Sequence, residues 1–174
     1  VSYNTLALST VTGAAGYTSM AMGGGGGTNT VNASYIDNIG AATALFVAGP
    51  GAVVSNSTLT ANNSVTLNLS GSLATVTGSV IRNTNSTALW VESGFNNIRL
   101  STIVAAGYGA FITNAASNSL SGSYVSGTTA TVVEGSTSTV ISGSSLYAYA
   151  NLGIGLQLTK GSVNLLVASS TLRG

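Results

Sequence analysis

One six-residue pattern returns eight times along this chain: an apolar residue, two variable residues, serine, one variable residue and a second apolar residue. The first copy is Leu6-Ala7-Leu8-Ser9-Thr10-Val11. The others are Val31–Ile36 around Ser34, Val54–Leu59 around Ser57, Val76–Ile81 around Ser79 and Ile98–Ile103 around Ser101, then Leu120–Val125 around Ser123, Ile141–Leu146 around Ser144 and Val167–Leu172 around Ser170. Successive serines lie 25, 23, 22, 22, 22, 21 and 26 residues apart. Serine is abundant, so the signal is its coincidence with two apolar columns at near-constant spacing. Such a period belongs to architectures in which each repeat stacks on the next.

A second apolar column runs through Met20, Leu45, Leu67, Leu89, Phe111, Val133 and Ile154. Two residues later stand Met22, Val47, Leu69, Val91 and Leu156, the period of a strand with one face inward. Inside the motif, the two apolar positions are five apart. An odd spacing sends them to opposite faces of a straight strand, so both reach one core only if the chain bends between them. The residue before the serine is Asn56, Gly78, Gly122 or Gly143 in four copies, types that tolerate positive φ. A turn is expected four residues after each serine, at Gly13, Asn38, Asn83, Gly127 and Gly174, with Ala in the other copies. Each coil therefore reads strand, bend, strand, turn, strand, turn. This predicts an all-β parallel β-helix: about eight coils of about 22 residues with three short strands each, forming a single domain over 1–174. An antiparallel sandwich would place turns every ~8–12 residues and would not hold columns in register across coils.

The coil with its Gly/Asn bend, as in Val76-Thr77-Gly78-Ser79-Val80-Ile81 and Leu120-Ser121-Gly122-Ser123-Tyr124-Val125, resembles the pectin-lyase-like superfamily of right-handed parallel β-helices. Stretches such as Ala74–Ile81 look like passenger domains of bacterial autotransporters and related surface adhesins. The resemblance spans essentially the whole chain and implies a right-handed coil and an extracellular or cell-surface location. Lyases, hydrolases, tailspikes and adhesins share the pattern, so function has to come from the residues.

Enzymes on this fold are expected to need carboxylates: pectate lyases hold Ca²⁺ in an acidic cluster and use an Arg base, and polygalacturonases gather several Asp side chains. This chain has three acids, Asp37, Glu92 and Glu134. They lie three, thirteen and eleven residues after Ser34, Ser79 and Ser123, which assigns them to different columns and coils. On that assignment no two share a cation or flank one bond, so no metal, cofactor or catalytic residue is expected. There is no His and no Cys, and Lys160 is the one lysine available as a base for a serine. A net charge of +1 offers no field for nucleic acid, and no apolar run of about 18 residues suggests a membrane helix. The start at Val1 without a signal peptide suggests a processed product or an excised piece. Gly23–Gly27 suggests a loop insertion in the first coil rather than a phosphate cradle, since no Lys-Ser/Thr follows.

The residue after each repeat serine should face outward: Thr10, Tyr35, Thr58, Val80, Thr102 and Tyr124, continued by Ser145 and Thr171. Two positions on stand Thr12, Asp37, Thr60, Arg82, Val104, Ser126, Tyr147 and Arg173. This flat strip is the candidate interaction surface. Its residues also simply suit exposed strands. The leading expectation is a non-enzymatic extracellular structural or adhesive solenoid, whose partners are further copies of itself, stacked or filamentous, or surface glycans. The pattern reaches both ends with no polar cap, so either the chain is a piece of a longer passenger or the open ends stack subunits. A carbohydrate-binding or carbohydrate-processing β-helix is the first alternative, with Tyr35, Tyr124 and Trp90 available to stack on sugars. An ice-binding protein is the second, on the strength of Thr10–Thr12 and Thr58–Thr60, and thermal hysteresis would reveal it.

Overall fold

The computed structural model describes residues 3–14, 16–23, 27–149 and 153–174. The centre of the Gly23–Gly27 loop, Gly24 to Gly26, lies outside the described residues. The chain winds into a parallel β-solenoid of three sheets, with no helix among the described residues. The first sheet runs from Thr5–Ala7 to Leu166–Ala168 and the second from Thr10–Gly13 to Thr171–Arg173, with eight strands each. The third runs from Met20–Met22 to Ile154–Thr159 with seven, so the described residues make seven full coils and begin an eighth.

Strand pairing follows the repeat. In the first sheet one column reads Leu6, Val31, Val54, Val76, Ile98, Leu120, Ile141 and Val167. In the second, Val11, Ile36, Leu59, Ile81, Ile103, Val125, Leu146 and Leu172 are stacked in the same way. Ile36, Leu59, Ile81, Ile98, Ile103, Leu120 and Ile141 are fully buried, each contributing about 1.5–3 kcal/mol by leaving water. The bend between these sheets puts both columns on one core, as the odd spacing requires.

All eight corner residues are left-handed: Leu8, Ala33, Asn56, Gly78, Leu100, Gly122, Gly143 and Ser169 have φ between 47° and 57°. Glycine or asparagine marks only half of them in the sequence. The rest hold the conformation at about 1–2 kcal/mol each because hydrogen bonds fix the corner around them. Each repeat serine folds its hydroxyl back onto the carbonyl two residues earlier, as Ser101 does onto Arg99 at 2.9 Å. The same oxygen accepts the amide of the preceding coil's serine, in a ladder running Ser9, Ser34, Ser57, Ser79, Ser101, Ser123, Ser144 and Ser170. The corner amide bonds the next coil as well, as Leu100 N–H does to Ser121 O at 3.0 Å.

The third sheet departs from the expected alignment. Leu89 pairs with Ala110, which pairs with Thr131, which pairs with Leu156. The turn leading into the Tyr108–Thr113 strand is one residue shorter than in the coil before, so every side chain there changes face. Phe111 leaves the core column and stands beside Trp90 on the outside, while Ile112 takes the buried place, 1% exposed. Val133 pairs with Ile112 and stays buried, whereas Ile154 falls opposite Thr129 and is 42% exposed.

Candidate functional site

The strip expected from the sequence exists on the second sheet. Thr10, Tyr35, Thr58, Val80, Thr102 and Tyr124 are register partners from coil to coil, followed by Ser145 and Thr171. Tyr35 and Tyr124 are exposed, while Thr58, Val80 and Thr102 are half-buried between neighbours. In the adjoining outward column Thr60 lies between Asp37 and Arg82. Its hydroxyl donates to the Asp37 carboxylate and lies 3.2 Å from the Tyr35 hydroxyl. Asp37 and Arg82 thus stand two coil rises apart, about 10 Å, too far for a direct pair. Further along, the Arg173 guanidinium sits 5.8 Å from the Tyr147 ring centroid. An open depression of about 390 Å³ lies at the first corners, between Leu8, Thr10, Tyr35, Asn56 and Thr58. Tyr35 and Asp37 stand in register between Thr10–Thr12 and Thr58–Thr60, so the two Thr-x-Thr segments do not adjoin.

The outer face of the third sheet holds a second surface, of which the sequence reading picked out Trp90 alone. Phe46, Asn68, Trp90, Phe111, Val132 and Gln157 form one outward column. Trp90 and Phe111 have ring centroids 4.8 Å apart and tilted by 44°, and Tyr108 adds its ring 5.4 Å from Phe111. The Trp90 Nε1–H and the Asn68 Oδ1, on paired positions, are enclosed and neither has a hydrogen-bond partner. An unmet buried donor or acceptor costs about 1–3 kcal/mol. The misassignment of Phe111 to the core hid this cluster.

The same slip, followed by a second one-residue shortening before Thr131, relocates two acids. Val91 pairs with Ile112, and Thr113 pairs with Glu134, so Glu92 and Glu134 share one outward column with Thr113 between them. The sequence spacing had assigned them to different columns, because it assumed that the coil register equals the serine register. Their backbones are about 10 Å apart at two coil rises. Glu92 is exposed, whereas Glu134 bonds the Lys160 ammonium at 2.6 Å and accepts from the Thr159 hydroxyl at 3.4 Å. Asp37 lies apart on the second sheet. Among the described residues no three acidic, His or Cys side chains gather, and no helix is long and apolar enough to cross a membrane.

The family model for the right-handed β-helix region matches residues 2–125. No curated protein matches the sequence. Among solved structures, the A-module of a mannuronan C-5 epimerase from Azotobacter vinelandii is similar, with a TM-score of 0.57 and 9% sequence identity over 85% of this chain. The match covers 55% of that module, so the chain spans about half of its length. At this identity the likeness shows the fold.

Proposed function

The chain belongs to the right-handed β-helix family, and on that footing we propose that it works as a non-enzymatic extracellular structural or adhesive solenoid. The observation that carries this reading is the outward strip of the second sheet. It keeps one register from Thr10 to Thr171, with Asp37, Arg82 and Arg173 as its charged members. The repeat serines between its strands and those of the first sheet are spent on the corner ladder, a structural use. Resemblance to surface adhesins supports placement outside the cell.

A second copy of the chain is the proposed partner. The first coil leaves Leu6, Val11 and Met20 half-buried, and the last leaves Leu156 and Val167 half-buried and Leu172 49% exposed. These belong to the same three columns, so head-to-tail stacking would continue each column and its strand pairing. Sedimentation velocity over a concentration series tests this: the native chain should form growing species. Val11→Lys with Leu172→Lys should stay monomeric with an unchanged β circular-dichroism spectrum. A native chain that remains monomeric throughout overturns self-assembly.

A carbohydrate-binding or carbohydrate-processing role is the second reading. The aromatic cluster beside Glu92 and Glu134 favours it, and the similar fold of an epimerase module accords with it.

A further inference from the structure

We infer that the first five coils of the second sheet form a self-complementary face, through which two copies of this chain pair side by side and antiparallel. The inference rests on the self-associating scaffold reading and gives its outward strip a partner. Pairing about a two-fold axis requires that each group lie opposite its complement on the other copy. The register supplies a centre for such an axis at Thr58 and Thr60, in the third coil. An axis lying in the face there, parallel to the strands, sets the first coil of one copy against the fifth of the other, and the second against the fourth.

Three oppositions follow from that one axis. Asp37 and Arg82 share an outward column on either side of Thr60, so Asp37 of each copy faces Arg82 of the other. Among the described residues the ion pair is Lys160 with Glu134, which leaves Asp37 and Arg82 without an opposite charge inside the chain. Thr60 holds the Asp37 carboxylate along the column by a hydrogen bond. In the neighbouring column the exposed Tyr35 ring meets the half-buried Val80. At the corner, Leu8 faces Leu100, since each stands two residues before a strip position, Thr10 and Thr102. Both are left-handed and 87% and 69% exposed, where four other corners use asparagine or glycine. Strain and exposure at both leucines are accounted for if each is covered by the other copy. The open depression of about 390 Å³ beside Leu8, Thr10, Tyr35 and Asn56 lies where Leu100 of the other copy arrives. The remaining oppositions, Thr10 with Thr102 and Thr12 with Val104, are uncharged. The face measures about 16 by 24 Å, about 400 Å² per copy, against about 800 Å² per partner in a stable complex. Single copies therefore pair weakly, whereas a stack repeats the contact along its length and gains avidity.

Negative-stain electron microscopy of the native stacks should show filaments in pairs. Arg82→Asp sets acid against acid and should give single filaments with an unchanged β circular-dichroism spectrum. Asp37→Arg with Arg82→Asp returns opposite charges across the axis and should restore the pairs. A second arm needs no stacking. The chain has no cysteine, and Thr60 lies on the axis opposite its own counterpart. In the Val11→Lys/Leu172→Lys background at high concentration, bismaleimidoethane should capture Thr60→Cys as a dimer at least about ten-fold faster than Arg173→Cys. Arg173 stands in the same outward column beyond the face. Single native filaments, or equal capture at the two positions, overturn the inference and leave the stacking reading standing. Pairs that survive Arg82→Asp overturn it as well. Preferential capture of Thr60→Cys in a chain that forms no filaments overturns the stacking reading alone and supports the paired face.

Discussion

At the corner between the first two sheets, the Ser101 hydroxyl donates to the Arg99 carbonyl at 2.9 Å and accepts the Ser79 amide at 3.3 Å. Ser101→Ala removes both bonds and leaves the buried Ser79 amide without that acceptor, while the Arg99 carbonyl keeps the Gly78 amide. Urea denaturation should show a loss of about 1–3 kcal/mol. The residue before it makes the opposite case. Leu100 is 69% exposed with φ of 52°, so it holds a left-handed conformation with little burial in return. Leu100→Gly removes a cost of about 1–2 kcal/mol and adds about 0.5–1 kcal/mol of unfolded-state freedom. The midpoint in urea should therefore rise, by a net of about 0.5–1 kcal/mol. The sequence announces the serines and the glycine corners. It does not announce Leu8, Ala33, Leu100 or Ser169 as left-handed, because the ladder imposes that conformation from the adjoining coils.

Among the elements, the Tyr108–Thr113 strand separates what was legible from what was not. The apolar columns of the first two sheets and the outward strip could be read directly, because each lies a fixed number of residues from its serine. The third sheet is reached through a turn whose length varies. Ser101 and Ser123 remain 22 apart, and the residue lost before Ala110 is regained after Ile112, so counting serines conceals the slip. Gly107 and Gly109 were the available signal. A Cβ at Gly109 would stand 2.5 Å from the Ala130 carbonyl oxygen, so only glycine admits the tight approach. The slipped register makes a direct prediction. Ile112→Ala should cost about 2–5 kcal/mol in chemical denaturation as a core cavity, as should Ile103→Ala, whereas the half-buried Phe111→Ala should cost less than either. Equal losses at Phe111 and Ile112 would restore the unslipped alignment. The slip also brings Glu92 and Glu134 into one column, a placement that no count from the serines could supply.

For the whole molecule, a three-sided stack of coils with 4% charged residues presents long, nearly neutral faces and little electrostatic repulsion between copies. Its strand pairing is entirely between coils, so stability accumulates by neighbour-to-neighbour stacking. Asp37 bonds Thr60, Glu134 bonds Lys160, and Glu92 stands alone at the edge of an aromatic face. The most direct measurement is product analysis after prolonged incubation with polygalacturonate, mannuronan and cellohexaose, for the native chain and for Asp37→Asn/Glu92→Gln/Glu134→Gln. The account predicts no cleaved, unsaturated or epimerised product from either protein. Turnover by the native chain that disappears in the triple variant would contradict it.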